Sequence, residues 1–95
     1  MAESVRRFDF SRTFQKQLLK VPVKVRMAFL ERYKLFLVEP HNPQLSNHRL
    51  VGKLNGYRGI DVTGDFRALY KEYINESGNR GVIFEMLGTH SQLYK

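Results

Sequence analysis

The stretch Tyr57-Arg58-Gly59-Ile60-Asp61-Val62-Thr63-Gly64-Asp65-Phe66-Arg67-Ala68-Leu69-Tyr70 decides the fold. Residues 57–63 are rich in β-branched and aromatic side chains, and Thr63-Gly64 supplies a tight turn. Beyond the turn, Phe66, Ala68 and Tyr70 fall on one side, with Asp65, Arg67 and Leu69 on the other. A period of two is the mark of a strand with one face buried. The stretch therefore predicts a β-hairpin. Downstream, 75–79 (Asn-Glu-Ser-Gly-Asn) predicts a second hairpin loop, and the run from Val82 to Leu87, bounded by Gly81 and Gly88, predicts a last strand. Upstream, Leu50 to Leu54 predicts a weaker strand.

Before about His48 the period changes. Phe14, Leu18 and Leu19 recur at helical spacing after Ser11, a good N-cap, and predict a helix from about Arg12 to Lys20. Pro22 can open a second helix, whose stripe is Val25, Phe29, Tyr33 and Phe36. Glu39-Pro40 ends it, because the residue before a proline is pushed out of the helical region. Val5 to Phe10 predicts a short edge strand, and residues 41–48 a loop. The expected architecture is a single α+β domain over residues 1–95, an N-terminal strand and helical hairpin packed on a C-terminal antiparallel sheet. Its expected core includes Phe14, Leu18, Phe29, Tyr33, Phe36, Ile60, Val62, Leu69, Ile83 and Leu87.

Sixteen Lys and Arg against nine Asp and Glu give the 95-residue chain a net charge of +7. That field favours a polyanionic partner, whether RNA, DNA, an anionic membrane surface or an acidic protein, and charge alone does not choose among them. At 42% hydrophobic and 13% aromatic, the composition is that of a globular protein rather than a disordered one. No apolar run is long enough to cross a bilayer, so no membrane association is expected. The first residues, Met1 to Arg7, carry no apolar stretch after their charges, so no signal peptide is expected. Cysteine is absent, and the three His residues have no zinc-ligand spacing. The expectation is a cytoplasmic protein with no metal and no cofactor.

The chemistry-bearing side chains gather at strand ends and turns of the C-terminal half: His48, Lys53, Arg58, Asp61, Asp65, Arg67, His90 and Tyr94. Arg67 is the sharpest, because a charge within an apolar strand must be paired or solvated. The alternatives for it are the open face of a half-covered sheet, or a pair with Asp61 or Asp65. Phe66 is either core or a ring on which a base stacks. Taken together these residues supply cations for a phosphate, imidazoles and a carboxylate for proton transfer, and aromatics for stacking. That inventory suits RNA cleavage by the ribose 2′-hydroxyl, which needs a base, an acid and neutralisation of the pentavalent phosphate.

From about Asn47 to Tyr94 the chain resembles the RelE/ParE toxins of bacterial type II toxin–antitoxin modules, and within them the YafQ-like mRNA interferases. The carrying segments are His48-Arg49-Leu50-Val51-Gly52, Gly56-Tyr57-Arg58, Asp65-Phe66-Arg67-Ala68-Leu69-Tyr70 and Gly88-Thr89-His90-Ser91-Gln92-Leu93-Tyr94. The resemblance implies a ribosome-dependent endoribonuclease that cuts mRNA and is held inactive by an antitoxin. It implies catalytic roles for His48, Asp65, Arg67, His90 and Tyr94, and RNA contacts for Lys53, Arg58 and Phe66. Asp61 stands where the pattern has a His, and Met86 where it has an Arg. Two alternatives stay open: a non-enzymatic ParE-like toxin that binds gyrase, and a catalytically weakened relative that retains antitoxin binding.

Overall fold

The computed structural model describes residues 5–94, so the expectation about the first residues falls largely outside it. Strand β1 (Val5–Phe10) leads into helices α1 (Arg12–Lys20) and α2 (Val23–Val38). Strands β2 (His48–Arg49), β3 (Arg58–Asp61), β4 (Phe66–Ile74) and β5 (Arg80–Thr89) follow, then a short helix α3 (His90–Leu93). The strands form one sheet in the order β1-β5-β4-β3-β2. β2 to β5 pair antiparallel, whereas β1 joins the outer edge of β5 in parallel. The N-terminal strand thus extends the sheet as an edge strand.

The helix boundaries have local causes. Ser11 Oγ accepts from the Phe14 amide at 3.0 Å and caps α1. Pro22 precedes α2, whose end falls at Glu39 with φ −142°, ahead of Pro40. Both helices lay their aromatic stripes on one sheet face. Phe14, Phe29, Phe36, Ile60, Val62, Ala68, Tyr70, Val82, Phe84 and Leu87 are buried there. Leu18 and Tyr33 are half-buried against the same cluster.

Ile83 departs from expectation, and a β-bulge explains it. Leu69 pairs with Met86 but Tyr70 pairs with Phe84, so Glu85 has no partner on β4. Counting back from buried Leu87 in steps of two selects Ile83. The bulge shifts the phase by one, so Phe84 and Val82 enter the core and Ile83 lies half-buried on the opposite face. The edge of β5 beyond β1 is satisfied by α1 and its cap. Ser11 donates from its amide to the Phe84 carbonyl at 2.8 Å and from Oγ to the Glu85 carbonyl at 2.9 Å. Gln17 Oε1 accepts from the Leu87 amide at 2.7 Å.

Three further expectations are corrected. Residues 50–54 are not a strand: Gly52 has φ +68° and opens a 3-10 turn, Gly52–Leu54. The loop before His48 contains another 3-10 turn, Pro43–Leu45, which buries Leu45 completely. Gly81 and Gly88 lie within β5 rather than at its ends. A Cβ at Gly81 would collide with the ring of Tyr73, whose hydroxyl donates to Asp9 at 2.9 Å. Those glycines mark close approach, not chain reversal.

Candidate active site

Register brings the first pair together. Asp61 on β3 stands opposite Arg67 on β4, which stands opposite Gly88 on β5. Arg67 Nη1 donates to Asp61 Oδ1 at 3.3 Å, with both side chains partly solvated. The neighbouring row runs from His48 through Gly59 and Leu69 to Met86. Gly59 and Asp61 are two residues apart on one strand, so both rows share the face turned away from α1 and α2. Each row contains a glycine, and the chain's last turn sits over the hollow they leave. A Cβ on Gly88 would lie 2.9 Å from Gln92 Oε1 and 3.4 Å from Leu93. A Cβ on Gly59 would lie 3.8 Å from the Tyr94 hydroxyl.

That turn is held mainly by its backbone. Thr89 Oγ1 accepts from the Gln92 amide at 3.2 Å while Gln92 Oε1 accepts from the Thr89 amide at 2.8 Å, a capping box. The His90 amide donates to the Asp65 carbonyl at 3.2 Å, which ties the tail to the β3–β4 turn. The Tyr94 amide donates to the His90 carbonyl at 2.9 Å. His90 and Tyr94 therefore share one side of the turn, with ring centroids 4.3 Å apart. Burial raises the Tyr94 phenol above its ordinary range, the Arg67 guanidinium opposes this, and Asp61 adds to it. The phenol is thus neutral at pH 7, a hydrogen-bond donor within the field of the Asp61–Arg67 pair. Beside it, Val51, Lys53, Leu54, Leu93 and Tyr94 line a cleft of about 410 Å³.

The sequence-predicted residues fall into three groups. Arg67, His90, Tyr94 and Lys53 converge on this face, with Asp61 as an added member. Asp65 is exposed and joined to His90 through its carbonyl. His48 is exposed one row away. Its Nδ1 lies 2.6 Å from the Ser46 carbonyl, which can only accept, so Nδ1 carries the proton and Nε2 is the free nitrogen. Phe66 and Arg58 lie on the helix-covered face. Phe66 packs half-buried against the core cluster and lines a cavity of about 540 Å³ together with Val21, Leu87 and two residues of the tail turn, Gln92 and Leu93. Arg58 stands opposite Tyr70 and donates to Asn47 Oδ1 at 3.0 Å, also on the helix-covered face. Gln92 was not singled out by the sequence reading, although Thr89-His90-Ser91-Gln92 has the capping-box spacing. Among the described residues, no group of three His, Cys, Asp or Glu is placed to hold a metal ion, and no helix is long and apolar enough to cross a membrane.

No protein-family model matches the chain, and no curated protein is similar to it in sequence. Solved structures are similar to it. YafQ from E. coli superposes with a TM-score of 0.71 at 23% identity, over 95% of this chain and 100% of that one. The YoeB/ParE toxin from Agrobacterium tumefaciens gives a TM-score of 0.70 at 10% identity, over 90% of this chain and 99% of that one. A chain of the E. coli DinJ–YafQ toxin–antitoxin complex gives 0.63 at 23% identity, over 95% and 98%. The fold is that of the RelE/ParE-like toxins, with YafQ among its structural neighbours.

Proposed function

We propose that this chain is the toxin of a type II toxin–antitoxin module, an endoribonuclease that cuts mRNA on the ribosome in the cytoplasm without a metal ion. The observation that carries the reading is the Asp61–Arg67 pair with the His90–Tyr94 turn seated beside it. In the reaction the ribose 2′-oxygen attacks phosphorus as its proton passes to a base. The bond from phosphorus to the 5′-oxygen breaks as an acid returns a proton to that oxygen. His90 and Asp65 share these transfers, and His48 assists through Nε2. Arg67 meets the charge that builds on the phosphate, Tyr94 donates to it, and Lys53 contacts the strand at the rim of the cleft. With Phe66 turned toward the core, stacking on the substrate rests with Tyr94 and the ring of His90.

Arg67→Ala should lower single-turnover mRNA cleavage on programmed ribosomes about 10²–10³-fold, the effect of losing one preorganised charge contact. An unchanged rate would remove Arg67 from the site. A second reading, a catalytically weakened relative, is favoured by the same ion pair, because Asp61 already occupies the guanidinium that a phosphate needs. If the wild-type protein binds its antitoxin but cuts nothing on ribosomes, that second reading stands. DNA breaks that depend on gyrase would instead support the ParE-like alternative.

The antitoxin partner has a surface that suits it. Val23, Met27, Leu30 and Leu37 form a seam of alternating four- and three-residue steps along the outer side of α2, interrupted only by Lys34. All four are well exposed, at 65%, 55%, 41% and 45%. Lys20, Lys24 and Lys34 lie along or beside it. An acidic amphipathic helix that orders on binding complements this seam, whereas a second copy of the chain would bring like charges together. The product of the adjacent reading frame should co-purify with this chain at low salt, and the complex should weaken as salt is added. Failure to co-purify at low salt would remove the partner assignment.

A further inference from the structure

The two residues of edge strand β2 point to opposite faces. His48 belongs to the row of the candidate active site, and Arg49 points to the helix-covered side. There Arg49 stands directly opposite Arg58 on β3. Like charges in directly opposed positions of an antiparallel pair repel each other. Among the described residues, neither guanidinium has a carboxylate partner. Glu72, the carboxylate nearby, is held by Arg80 Nη2 at 3.1 Å. Arg58 is half-buried and fixed in place: its Nε donates to Asn47 Oδ1 at 3.0 Å, and Asn47 Nδ2 donates to the Pro40 carbonyl at 2.8 Å. The same guanidinium also interacts with the Tyr70 hydroxyl, while the Arg49 side chain across from it is exposed. Arg49, Arg58, Asn55, Tyr57 and the Arg80-paired carboxylate of Glu72 contribute to the lining of a cavity of about 240 Å³. That is below the about 300–1,000 Å³ of a pocket for a drug-sized ligand, so it suits a small anionic group.

We infer that the Arg49–Arg58 cavity is a second phosphate subsite, which holds a backbone phosphate of single-stranded RNA flanking the scissile nucleotide. Among the described residues no strand covers the free edge of β2. An RNA strand leaving the His48 row can therefore pass around that edge and place a neighbouring phosphate between the two guanidinium groups. Their planar forks match phosphate oxygens, and the bound charge relieves their repulsion. The inference rests on the RNA reading above, but its test separates the two.

The test is the salt dependence of binding of a short fluorescent single-stranded RNA, read by anisotropy for the wild type, Arg49→Gln and Lys16→Gln, the last an exposed cation of α1 outside both sites. For single strands the slope of log K against log salt is about 0.7 per phosphate neutralised. Arg49→Gln should reduce the slope by about 0.7 and weaken binding at low salt, whereas Lys16→Gln should keep the wild-type slope. Arg49→Gln should also melt no lower than wild type, because it removes one of two opposed like charges. RNA binding with an unchanged slope in Arg49→Gln overturns the subsite and leaves the RNA reading intact. No RNA binding by the wild type overturns both. An unchanged RNA slope together with lost affinity for a glutamate-rich peptide also overturns the subsite, and assigns the cavity to an acidic protein.

Discussion

Replacing His90 by alanine is expected to leave a folded protein that cleaves mRNA about 10²–10⁴-fold more slowly, the usual loss when a positioned acid or base is removed. The fold should be indifferent to the change. The His90 side chain is exposed, and the bonds that hold the turn at this position come from its main-chain amide and carbonyl. Alanine keeps both and is the better helix former. What disappears is a titratable ring 4.3 Å from the Tyr94 ring, on the face that carries Arg67. Single-turnover cleavage on programmed ribosomes measures the chemistry, and a thermal melt of the same sample checks the fold. A variant that melts like the wild type and cuts at the wild-type rate would exclude His90 from proton transfer.

The second large effect concerns stability. Phe84→Ala should destabilise the domain by about 3–5 kcal/mol, because it combines lost burial with a cavity that its neighbours cannot fill. Phe84 is fully buried. Its ring lies 5.3 Å from Tyr70, 5.4 Å from Phe36, 5.6 Å from Phe29 and 5.7 Å from both Phe10 and Phe14. It therefore joins β1, both long helices and β4. Against a total stability of about 5–15 kcal/mol for a native protein, such a loss is a large share. Urea unfolding measures it as a drop in midpoint at constant slope. Ile83→Ala, one residue away and only half-buried, should lose much less. If Ile83→Ala proves the more damaging of the two, the bulge at Glu85 is misplaced.

That comparison also marks what the sequence could disclose. β1, α1 and α2 were legible because their signals are local: a serine cap, a proline boundary, and aromatic residues at helical spacing. The bulge was not, since Glu85 sits in a run whose alternation looks unbroken, and only pairing with β4 shows the extra residue. Gly81 and Gly88 read as strand ends because glycine commonly breaks strands. Their reason, a tyrosine ring over one and the tail over the other, is a contact distant in sequence. Within the site, Arg67 with Asp61 was legible as one of two pairings, since a hairpin brings residues on either side of its turn into register. His90 and Tyr94 were legible together, four residues apart in a tail rich in turn formers. Phe66 and Arg67 are adjacent in a strand and so point to opposite faces, as the alternation in the sequence indicates. Arg58 lies on the face with Ile60, opposite to that of Arg67 and Asp61.

The hollow left by Gly59 and Gly88 has a kinetic meaning. The tail that fills it is a single helical turn, largely solvent-facing and fastened through its capping box and one main-chain bond to the β3–β4 turn. The sheet beneath is locked by an aromatic cluster, so the two belong to different cooperative units, and the turn opens and exchanges its amides with solvent at far lower free energy than the sheet unfolds. Each opening carries His90 and Tyr94 away and leaves Arg67 and Asp61 behind on an intact sheet. Amide exchange at His90 and Tyr94 is therefore expected to be faster than across β4 and β5.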